Sequence, residues 1–125
     1  MFDTVLFAID QSRQALETAA VALRVAQRHQ SRLVLLSVVE PGQDDPAAVA
    51  ALLEQARGRF EEQGVASEVI EREGKPAFVI CDVADEINAD VIVMGTRGLT
   101  LEADEAPSTA SRVIQLAPCP VLVVP

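Results

Sequence analysis

Val91-Ile92-Val93-Met94-Gly95-Thr96-Arg97-Gly98 joins an unbroken apolar run to two glycines. A short continuous apolar run is the pattern of a strand covered on both faces, as the strands of a parallel sheet are. Glycines at the end of such a strand let backbone N–H groups come close to a phosphate. Carboxylates at Glu102, Asp104 and Glu105 follow on the same segment, and carboxylates repel that anion. The stretch reads as a buried strand leading into a loop that carries half of a nucleotide site.

Working outward, three more segments have the same apolar character: Thr4 to Ile9, Leu33 to Val39 and Val121 to Val124. Ala66 to Glu71 alternates instead, with Val69 between charged neighbours, which suits a less buried strand nearer a sheet edge. Helical spacing fills the gaps. Leu16, Ala19, Ala20, Leu23, Ala26 and Gln27 fall on one face of a first helix, with Arg13, Glu17, Arg24 and Arg28 largely opposite and Ser12 as its cap. Pro46 to Gln63 is a second helix, opened by proline and ended by Gly64. Gly74-Lys75-Pro76 opens a third, whose core stripe is Ile80, Val83, Ala84 and Ile87. A fourth runs from about Pro107 or Ser108 to Leu116 and stops before Pro118.

Strands alternating with helices imply βαβ units around a parallel sheet, with right-handed crossovers that place helices on both faces. Ligands of such sheets bind beyond the carboxyl ends of the strands, where the strand order reverses. Ile9 to Ser12, after the first strand, and Gly95 to Gly98, after the fourth, are the segments best placed for that crevice.

Composition excludes several function classes. At 125 residues the chain is expected to form one domain, 1–125. It has no Trp or Tyr and four Phe, so it lacks a stacking platform for single strands. A formal net charge of −9 sets a repulsive field against nucleic acid and anionic membrane. No apolar stretch approaches the ~20 residues of a membrane span and no signal peptide is evident, so a cytoplasmic protein is expected.

The chemistry-bearing residues are sparse. There is no serine elbow, no histidine beside a nucleophile and no carboxylate pair in apolar surroundings, so no enzyme is expected. His29, the single histidine, reads as a solvated side chain or helix C-terminal cap. Cys81 reads as core packing, and Cys119 has no nearby cation to activate it. Val121 to Val124 would leave an unpaired edge, which antiparallel pairing with a second copy across a two-fold axis would satisfy.

Phe7-Ala8-Ile9-Asp10-Gln11-Ser12, Asp90 to Gly98 and Ala117-Pro118-Cys119-Pro120-Val121-Leu122-Val123-Val124 together resemble the universal stress protein family, over essentially the whole chain. The resemblance implies a Rossmann-like α/β domain of the adenine nucleotide alpha hydrolase type: an open five-stranded parallel sheet of order 3-2-1-4-5. It implies a homodimer through the last strand, a stress-linked regulatory or protective role, and in some members an adenine nucleotide, AMP or ATP, with or without Mg²⁺. Carried over by position, Asp10 matches the residue that holds adenine or ribose, and Ala8, Val38 and Met94 match backbone and apolar contacts to adenosine. Gly95 and Gly98 match the first two loop glycines, with Arg97 between them. Ser108 and Thr109 match the hydroxyl positions of the loop.

Each assignment has a plainer reading beside it. Asp10 would also serve as a helix cap, the glycines as turn residues, Arg97 as a surface ion-pair partner of Glu102 or Asp104, and Ser108 as the cap of the last helix. The third loop glycine is missing, its place falling on Pro107 or Ser108 according to the end counted from. Two carboxylates near a triphosphate cost on the order of 1–3 kcal/mol each, and one lost backbone donor about 1–3 kcal/mol more. The expected site is therefore weakened toward ATP more than toward AMP. A dimeric interaction module without nucleotide is the alternative, and a slow ATPase ranks last.

Overall fold

The computed structural model describes residues 1–10, 15–96 and 109–125. Their elements are β1 (Thr4–Ala8), α1 (Ala15–His29), β2 (Arg32–Val39), α2 (Pro46–Glu62), β3 (Ser67–Glu73), α3 (Pro76–Glu86), β4 (Val91–Gly95), α4 (Thr109–Leu116) and β5 (Val121–Val124). The five strands form one parallel sheet of order β3-β2-β1-β4-β5. The chain moves outward from β1 through β2 to β3, then returns to the other side of β1 with β4 and β5. The order therefore reverses between β1 and β4.

Alternation along the strands builds two cores. Leu6, Ala8, Val34, Leu36, Ile92 and Met94 pack with α3 and α4 on one face. Val5, Phe7, Leu33, Leu35, Val91 and Val93 pack with α1 and α2 on the other. On that second face Phe7 and Phe60 meet edge to face, with ring centroids 6.2 Å apart, the favoured geometry for paired aromatics. The central strands are covered on both sides, which is why they read as continuous apolar runs. Edge strand β3 leaves Glu68, Val69, Glu71, Arg72 and Glu73 exposed, in keeping with its alternating sequence.

Local chemistry fixes the helix ends. The Asp45 carboxylate accepts from the Ala47 N–H at 3.1 Å and Pro46 stands in the first turn of α2. Gly64 leaves α2 with φ +81°, a backbone that L side chains rarely adopt. At the amino end of the sheet, the Asp90 carboxylate accepts from the Thr4 N–H at 2.8 Å, tying the turn before β4 to the start of β1.

One expectation is corrected. The buried stripe of α1 is Thr18, Ala22 and Ala26, whereas Leu16 is 64% exposed and Ala20 and Gln27 face solvent. The helix is apolar on most of its circumference, so spacing alone does not single out the face. The sheet selects the stripe with the smallest side chains, which lets the helix backbone approach β1 and β4 closely.

Candidate functional site

The carboxyl ends of β1 and β4 lie side by side. Val5, Leu6 and Phe7 pair with Val91, Ile92 and Val93, so the residues that follow Phe7 and Val93 stand next to one another. Past the end of β1, the Ile9 N–H donates to Leu36 O at 2.8 Å and keeps the chain on the sheet as far as Asp10. Past β4, the Thr96 N–H donates to Val124 O at 3.2 Å. That donor is engaged within the protein, so N–H groups offered to a ligand would have to come from farther along the chain.

Gly95 is buried at the end of β4. A Cβ placed on it would stand 3.0 Å from Thr18 Oγ1, 3.7 Å from Val124 O and 4.0 Å from Asp10 Oδ2. Three elements thus converge on the bare Cα of this glycine: α1 through a hydroxyl, β5 through a carbonyl and the β1 end through a carboxylate. Gly95 is not one of the glycines with positive φ, so its lack of a side chain serves close approach and not turn geometry.

The expected apolar contacts share the opposite face. Ala8 and Met94 are 9% and 5% exposed within the core beneath α3 and α4, and Val38 is packed against that core. Together they form an apolar surface at the carboxyl edge of β2, β1 and β4. Thr109 is the half-buried first residue of α4, followed by buried Ala110. Arg97, Gly98 and Ser108 lie outside the described residues, as do Gln11, Ser12, Glu102, Asp104, Glu105 and Pro107.

Sequence reasoning missed Thr18. It is buried to 3% exposure, one of two buried polar side chains among the described residues, the other being Ser37 at 4%. Its signal was the four-residue spacing Thr18, Ala22, Ala26 within α1. Asp10 also borders a groove of about 580 Å³ between α1 and α2, lined by Leu16, Leu23, Leu52, Arg59 and Phe60 among others.

The two thiols are placed for packing. Cys81 is buried, with its Sγ 3.9 Å from Val113 O, and Cys119 is half-buried against the same core. Burial pushes the Cys81 thiol above its ordinary value, with Asp82 adding to the effect. Burial raises that of Cys119 as well, followed by Asp90 and Cys81. His29 stacks obliquely on Phe2 at 5.1 Å. Among the described residues no group of three His, Cys, Asp or Glu side chains is arranged to hold a metal ion, and no helix is long and apolar enough to cross a membrane.

A sequence profile described as the universal stress protein family matches residues 1–125. A universal stress protein of Synechocystis sp. is 54% identical over 136 aligned residues, which cover 100% of this chain and 87% of the relative. Among solved structures, a universal stress protein in complex with cAMP superposes with a TM-score of 0.83 at 24% identity, covering 99% of this chain and 97% of its own. The universal stress protein of Archaeoglobus fulgidus in complex with dAMP does so with a TM-score of 0.80 at 22% identity, covering 99% and 98%. These two likenesses are of fold.

Proposed function

Because this chain belongs to the universal stress protein family, we propose that it is a regulatory or protective binding protein whose crevice beyond β1 and β4 takes an adenine nucleotide. The observation that carries the reading is that Asp10 Oδ2 stands 4.0 Å from where a Cβ of Gly95 would be, at the point where the strand order reverses. This is where ligands of open α/β sheets sit. Asp10 would accept hydrogen bonds from ribose hydroxyls or the adenine amino group. Ala8, Val38 and Met94 would supply the apolar surface for adenosine. Arg97, Gly98, Ser108 and Thr109 would complete the phosphate side on the strength of their positions in the sequence. The family members of like fold that hold cAMP and dAMP point to the same class of ligand.

A monophosphate fits this chain better than a triphosphate. Glu102, Asp104 and Glu105 follow Gly98 in the sequence, the third glycine of the family's pattern is absent, and the whole chain carries −9. Every added phosphate charge meets that field. The proposed reading is of a binder and not an enzyme, acting in the cytoplasm.

A second copy of the chain is the proposed partner, met through β5. This strand is a sheet edge carrying Leu122 at 38% exposure, and α4 presents Ile114 at 58%. An apolar edge of unpaired N–H and C=O groups favours antiparallel pairing across a two-fold axis. Calorimetric titration with AMP, ATP and cyclic AMP tests the ligand: binding with AMP ahead of ATP is expected. No heat from any of the three at millimolar concentration would leave only a dimeric interaction module.

A further inference from the structure

Thr18 is the anomaly in the buried stripe of α1. The two positions behind it, Ala22 and Ala26, are 0% and 2% exposed. Alanine is the better helix former and buries no hydroxyl, so helix propensity and burial do not call for threonine here. Across the interface it faces Gly95. Thr18 Oγ1 sits 3.0 Å from where a Cβ of residue 95 would be, and Asp10 Oδ2 faces the same point from 4.0 Å. The backbone of Gly95 is that of an ordinary strand residue. The atom a side chain there would crowd is the Thr18 oxygen, which would have to give by a few tenths of an ångström, since the next atom out, Val124 O at 3.7 Å, is at ordinary contact distance.

We infer that Thr18 is a positioning residue of the crevice: its hydroxyl, seated on the bare Cα of Gly95, sets the spacing between α1 and the β4 end, and with it the place of the Asp10 carboxylate. The consequence for ligands rests on the adenine-nucleotide reading above; the steric consequence does not.

The steric half is tested without ligand by thermal melting of four proteins. Gly95→Ala alone should lower Tm by about 3–10 °C, the usual effect of an extra methyl group in a packed interior. In a Thr18→Ala background the same change should lower Tm by less than half as much. In a Thr18→Ser background, which keeps the oxygen, the full drop should persist. An equal drop in the Thr18→Ala background overturns the inference.

The positioning half is read from binding and spectra. Thr18→Val removes the hydroxyl and puts a bulkier methyl group in its place; it should shift the Asp10 and Thr96 amide resonances and, by displacing the Asp10 carboxylate, weaken AMP at least about fivefold. Thr18→Ser should bind as the wild type does. Val49→Ala, made in α2 at a residue 1% exposed, should lower Tm while leaving AMP affinity unchanged. Unshifted amides in Thr18→Val, or an equal loss of affinity in Val49→Ala, overturns the role. If the wild-type protein binds no AMP, the nucleotide reading falls by itself, and the amide shifts with the Gly95 series still decide the place of Thr18.

Discussion

Replacing Asp10 with alanine separates two effects of one carboxylate. As an ionised acceptor of ligand hydroxyls it contributes about 1.5–3 kcal/mol, so its loss should weaken adenosine about 10–150-fold. The same charge repels a phosphate. Asp10 Oδ2 lies 4.0 Å from the Cβ position of Gly95, and the Thr96 N–H beyond is engaged with Val124 O. At a separation of about one Debye length, ~8 Å at physiological salt, a phosphate would still feel that charge. Two unit charges at ~8 Å and an effective dielectric near 20 repel by about 2 kcal/mol, and by about 1 kcal/mol after screening. A monophosphate carries roughly −1.5 to −2. Asp10→Ala therefore relieves AMP of about 1–2 kcal/mol of repulsion that adenosine never felt.

The expected outcome is a loss of AMP affinity at least about fivefold smaller than the loss of adenosine affinity, measured by calorimetry on the same two proteins. Raising the salt to 1 M shortens the Debye length to ~3 Å and should close the gap. AMP losing as much as adenosine at low salt, or a gap indifferent to salt, would refute this account of the carboxylate.

Other perturbations reach the remaining parts. Leu122→Lys places a charge on the exposed face of edge strand β5 and should convert a dimer to monomers in sedimentation; an intact dimer would reject that edge as the interface. Neutralising Glu102, Asp104 and Glu105 together should tighten ATP more than AMP, because the relief scales with phosphate charge; equal gains would reject repulsion as the limit on ATP. Both thiols titrate above their ordinary range in the folded protein, so the stability this confers is whole below the unfolded thiol value of ~8.5 and is lost as pH rises through the folded values. Alkylation of Cys81 and Cys119 by iodoacetamide should accordingly be slower at pH 8 in native than in urea-unfolded protein; equal rates would count against burial as the cause.

The parts of this fold that could be read along the chain are those whose cause is local. An apolar run such as Leu33 to Val39 marks a central strand because parallel neighbours and helices cover both of its faces, and the charges of β3 mark an edge because one flank meets water. Asp45 and Pro46 announce the start of α2 by the same local logic. Asp10 and Gly95 could also be named, since their place at the ends of apolar runs is itself a sequence feature. Their physical roles could not, because those depend on a helix that crosses from one to the other. Gly95 resembles a turn glycine in the sequence, yet its backbone is that of a strand and its constraint comes from Thr18, 77 positions earlier. Thr18 in turn resembles a surface residue of an alanine-rich helix until the sheet chooses which side to bury. Each bears on the other, and the spacing of Thr18 with Ala22 and Ala26 does not by itself say what its hydroxyl meets. The first glycine of such a loop can therefore be conditioned by a helix residue outside it, so exchange at either position should be tolerated chiefly in combination with the other.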